Sequence, residues 1–78
     1  MSIETIYVKL LNEGIDTYKL VHADKIDNNL YKILEDSKKA YQDYLEIWEY
    51  KTGDIVKCAY KKLSKKNILL AIQKLSWN

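Results

Sequence analysis

Residues 51–60 read KTGDIVKCAY, a glycine turn running into an alternating segment. Gly reaches positive φ without a Cβ clash, so Lys51-Thr52-Gly53-Asp54 reads as a turn. Beyond it, Val56 and Cys58 share one parity while Ile55 and Lys57 take the other. A period of two is the mark of a strand with one covered face. The same pattern recurs upstream. In residues 3–11, Ile6, Val8 and Leu10 face one way and Tyr7, Lys9 and Leu11 the other. In residues 18–23, Val21 and Ala23 oppose Leu20 and His22. Asn12-Glu13-Gly14 separates these two runs as a second turn, and Asp27-Asn28-Asn29 is a third, leading into the short β-favouring run 30–34. Several short strands punctuated by turns predict a mainly β fold, a small barrel or sandwich. Its predicted core is Ile6, Val8, Leu10, Val21, Ala23, Ile33, Val56 and Cys58.

Two segments fit more than one reading. In residues 36–48, Ala40, Tyr41, Tyr44, Leu45 and Trp48 fall on one face of a helix, and Asp36 or Ser37 can cap it. The aromatic stretch 44–50 also alternates in part. The favoured reading is a helical turn or two over residues 36–43, then a strand. In residues 63–77, Ile68, Ile72 and Leu75 make a helix stripe, yet 68–72 equally fits a strand buried on both sides. Periodicity alone does not separate the two.

With 78 residues and no linker-like stretch, residues 1–78 are expected to form a single domain. Cys58 is the only cysteine, which excludes an internal disulfide. The N-terminus lacks the basic and long apolar regions of a secretion signal, and the longest apolar run, 68–72, is far too short for a membrane span. These features point to the cytoplasm. Net charge is +2, and all 13 basic residues are Lys. Without the planar fork of Arg, specific reading of nucleic acid is disfavoured.

The residue inventory argues against an enzyme. Cys58 and His22 are the only thiol and imidazole, and their parities put Cys58 inside and His22 outside. One His and one Cys cannot make a structural zinc site. The acidic cluster at 24–29 lacks the glycine and closing glutamate of a calcium loop. The isolated glycines have acids beside them, the wrong sign for a phosphate cradle. No catalytic residue, metal or cofactor is therefore expected. Two surface features remain. Tyr18, Trp48 and Tyr50 would form an aromatic groove for a protein partner if they face outward, and belong to the core if they do not. Residues 57–66 hold Lys57, Lys61, Lys62, Lys65 and Lys66 and no acid, a polyanion-binding alternative to the simpler reading of a solvated hairpin.

Read together, residues 7–24 (YVKLLNEGIDTYKLVHAD), 30–34 (LYKIL) and 45–58 (LEIWEYKTGDIVKC) carry an ordered pattern. It comprises Leu10, Leu11, Glu13 and Gly14; then Asp16, Tyr18, Val21 and Ala23; then Trp48, Glu49, Tyr50, Gly53, Asp54, Val56 and Cys58. In this the chain resembles a group of small bacterial proteins of uncharacterised activity. The resemblance implies an SH3-like β-barrel, closed by the strand after the lysine-rich turn, which tips both ambiguous segments towards strand. It brings no activity with it. Tyr18 stands where the pattern has Trp, Leu20 where a basic residue is common, and residues 38–43 are longer than usual, as an added helical turn would be. The expectation is an SH3-like barrel with a short helical insertion around residues 36–43. It would act as a non-enzymatic interaction module: an adapter, an accessory subunit or an inhibitor of a bacterial protein. The alternative is a nucleic-acid-associated barrel using the lysine-rich segment. No membrane association is expected.

Overall fold

The computed structural model describes residues 2–63 and 65–75. The order of elements is β1 (Ser2–Leu11), β2 (Thr17–Asp27), β3 (Leu30–Ile33), α1 (Ser37–Tyr44), β4 (Ile47–Trp48), β5 (Ile55–Leu63) and β6 (Lys66–Leu75). The fold is mainly β with one short helix, as the sequence predicts. Residues 66–75, open between helix and strand in the sequence, are strand.

Antiparallel pairs β1–β2, β2–β3, β3–β5 and β5–β6 form a meander that closes on itself between β6 and β1. Each antiparallel step reverses the chain, so a ring of five strands must close with a parallel pair. That pair is Tyr7↔Leu70. β4 adds to the far end of β1 through Leu10↔Trp48 and Leu11↔Ile47. Ile6 lies opposite Val21, so the alternating apolar sets of β1 and β2 point into the ring together. All eight residues of the predicted core are buried, joined by Tyr31, Trp48 and Ala71.

Turn chemistry follows the sequence with one correction. Gly53 holds φ 87, which a Cβ would strain, and Asp54 closes that turn by accepting the Lys51 N–H at 2.8 Å. At the β1–β2 turn the left-handed residue is Asn12, φ 65, and not Gly14. Asn tolerates this region because its short polar side chain bonds locally. Asn29, φ 62, makes the equivalent bend between β2 and β3.

α1 begins where Asp36 accepts the backbone N–H groups of Lys38 and Lys39 at 3.0 and 3.1 Å. An N-cap of this kind stabilises a helix by about 1 kcal/mol. Thr52 fastens the same end to the β4–β5 turn: its hydroxyl accepts the Ser37 N–H at 2.7 Å and donates to the Glu35 carbonyl. The helix stops at Leu45, φ 56, whose N–H reaches the Tyr41 carbonyl at 2.9 Å. α1 and β4 thus sit together beside the ring, held by the glycine turn.

Candidate functional site

An eight-residue helix beside a barrel can bury only a narrow stripe. Ala40 alone of α1 is buried. Tyr41, Tyr44 and Leu45 stay in solvent, the last two at 71% and 70% exposure. Between α1 and β4 lies a cleft of about 400 Å³. Ile47 and Trp48 line it from β4, Tyr41 and Gln42 from α1, and Lys38 and Lys51 bring positive charge. Trp48 is 3% exposed, so it presents an anchored edge and not a mobile side chain. Its indole N–H donates to Glu46 at 3.3 Å. Glu46 also meets Lys19 at 3.8 Å, and the Lys19 ammonium lies 5.9 Å from the centre of the Tyr44 ring. These contacts tie the end of α1 to β2.

The three aromatics singled out from sequence do not share a face. Trp48 pairs with Leu10 and lies in the core, whereas Tyr18 pairs with Lys9, whose parity is opposite. Tyr50 is half-buried and packs against the core, and burial raises its phenol pKa, with Glu49 adding to the shift. Tyr18 lies on the outer surface under Lys61, whose ammonium is 5.7 Å from the ring centre and 3.3 Å from the hydroxyl. A groove built from all three is therefore not formed. Trp48 instead serves the α1–β4 cleft. The sequence places Tyr41, Tyr44 and Leu45 on one helix face but does not mark them as exposed, because helical spacing looks the same whether a stripe is covered or not.

The lysine-rich segment is divided in a similar way. Register places Lys57 and Lys61 on one face of β5, with Lys66 opposite Leu63 on that same face, and Lys62 on the other. Lys65 lies in the turn between the strands. Lys66 reaches the Tyr7 ring, with 6.0 Å to its centre.

Cys58 is 1% exposed, and burial pushes its thiol up to about 12. His22 is on the outer face of β2, where its ring and its backbone N–H both meet Glu35. The hydrogen bond from His22 holds the Glu35 carboxyl below its ordinary range, against an opposing effect of burial. Thiol and imidazole thus lie on opposite sides of the sheet and form no dyad. Among the described residues no group of three or more His, Cys, Asp or Glu side chains is placed to hold a metal ion. Among them, too, no helix is long and apolar enough to cross a membrane. In comparisons with protein-family models, with curated proteins and with solved structures, nothing matches the chain.

Proposed function

We propose that this chain is a non-enzymatic protein-interaction module that holds its partner in the α1–β4 cleft. The observation that carries the reading is Tyr41, left in solvent on the wall of a cleft backed by the buried Trp48, with Tyr44 and Leu45 also exposed at the end of the same helix. Clustered exposed apolar groups on a small domain are characteristic of interaction sites. Tyr and Trp bury much area for few lost rotamers, which makes them efficient anchors. Lys38 and Lys51 would select a partner bearing carboxylates around its apolar contact. An adapter, an accessory subunit or an inhibitor of a bacterial protein each fit this reading, on a small SH3-like barrel. A reducing cytoplasm suits a small domain with one buried thiol.

The test is photo-crosslinking in cells. A benzophenone amino acid at position 41, on the wall of the cleft, should capture a protein, while the same group at Ile72, exposed on β6, should not. Equal products from both positions, or none from position 41, would reject the cleft as the interface.

A further inference from the structure

β3 supports β5 only as far as Lys57, and there the register between β5 and β6 slips, between Lys57 and Cys58. A slip of this kind bends the strand that carries it. Beyond it, residues 59–63 and 66–69 run on as a two-stranded arm. Among the described residues, one bridge pair joins β6 to β1, Tyr7↔Leu70 at the base of the arm. The arm does not project straight into solvent. Lys61, Lys66, Ile68 and Leu70 share one of its faces. From that face the Lys61 ammonium meets the ring and hydroxyl of Tyr18, and the Lys66 ammonium meets those of Tyr7. Tyr7 and Tyr18 point outward from β1 and β2, opposite in parity to the buried Val8 and Val21. β5 and β2 are not neighbours in the sheet, so Lys61 meets Tyr18 because the arm leans over this outer face. Burial agrees. Ile68 and Leu70 are 4% and 8% exposed yet lie outside the core cluster.

We propose that the arm is a strap, hinged at the register slip between Lys57 and Cys58, held shut over the outer face of β1 and β2 by the charges of Lys61 and Lys66, and released when those charges are removed. A two-stranded hairpin is marginal on its own in water, so the arm depends on what it leans against. An ammonium over an exposed ring shifts such an equilibrium roughly two- to fivefold, and two of them act together here. Opening uncovers Ile68 and Leu70 beside the Tyr7 ring. Leu20, already 48% exposed next to them, extends that apolar surface. The arm contributes nothing to the lining of the α1–β4 cleft, so the strap and the interaction module stand or fall separately.

The test is native-state hydrogen exchange, read by amide NMR on the whole chain. Ladder amides of residues 59–63 and 66–69 should exchange together, at least about tenfold faster than those around Ile6 and Val21 in the β1–β2 pair. Lys61→Met combined with Lys66→Met keeps the apolar stems and removes both charges at exposed positions. It should speed exchange in the arm about tenfold and leave the β1–β2 amides unchanged. Lys61→Arg combined with Lys66→Arg keeps the charges and should keep the wild-type rates. Arm amides as slow as those of β1–β2 would overturn the hinge. Equal acceleration of both sets in the Met pair would also overturn it, since that is a loss of global stability. Unchanged arm rates in the Met pair, or equal acceleration in the Arg pair, would overturn the charge latch. Arm protection that rises with protein concentration would overturn the strap and assign the contact to a second copy of this chain.

Discussion

Leu45 gives a prediction whose sign runs against ordinary helix propensity. In a helix interior, Gly is less stable than Ala by about 1 kcal/mol. Leu45, however, closes α1 at φ 56 and ψ 28, where a Cβ meets the following carbonyl oxygen. Ala at such a position is expected to be worse than Gly by about 0.5–1 kcal/mol, net of the greater freedom of Gly in the unfolded chain. The side chain is 70% exposed, so removing it sacrifices little burial, and whatever is lost is nearly the same in both variants. Leu45→Gly should therefore be more stable than Leu45→Ala. For a small domain with a urea slope near 1 kcal/mol/M, the midpoints should differ by roughly 0.5–1 M. Equilibrium urea unfolding with matched slopes is the assay. An Ala variant as stable as the Gly variant, or more so, would refute the left-handed cap.

Three further outcomes follow from burial and charge. Cys58 should resist thiol reagents in the native protein and react only on unfolding. Because its folded pKa, about 12, exceeds the ordinary 9, its contribution to stability should be intact below pH 9 and fall by about 1.4 kcal/mol per unit above it, a slope absent from Cys58→Ala. Glu35 is shifted the other way, so the stability it contributes is present above its ordinary 4.5 and lost as pH falls below; Glu35→Gln should flatten the urea midpoint between pH 5 and 3, and an unchanged profile would contradict the His22 contact. Tyr50→Ala should lower stability by about 2–3 kcal/mol, since the ring is half-buried against the core, whereas Tyr18→Ala on the outer face should cost less than about 1 kcal/mol; thermal melts compare them directly.

Strand parity was legible wherever a strand ran long enough to alternate against a covered face. That is why Ile6, Val8 and Leu10 and the pair Val56 and Cys58 could be placed inside from sequence alone. Parity failed at Tyr60, which has the parity of Cys58 but is exposed, because β3 reaches only as far as Lys57 and the rest of β5 continues as a two-stranded arm with β6. It was also mute for Trp48, on a strand of two residues whose orientation is set by pairing with Leu10. The helix could be read from Asp36 and the spacing after it, but not the fact that only Ala40 is covered. The closure of the ring at Tyr7↔Leu70 depends on how two strands distant in sequence meet, and no local pattern encodes that. The ordered pattern around WEYKTGD has structural tasks in this molecule: Trp48 fills the core, Gly53 supplies positive φ and Asp54 closes the turn.

The α1–β4 cleft is tested most directly by quantitative affinity capture from bacterial lysate, comparing the wild-type chain with Tyr41→Ala and Ile47→Ala on the cleft wall, and with Lys66→Glu outside it, by mass spectrometry. Loss of one hot-spot contact of about 2 kcal/mol weakens binding roughly 30-fold. The account predicts a protein retained by wild type and by Lys66→Glu and depleted with both cleft variants, each of which still melts as a folded domain. A protein retained equally by wild type, Tyr41→Ala and Ile47→Ala would contradict it.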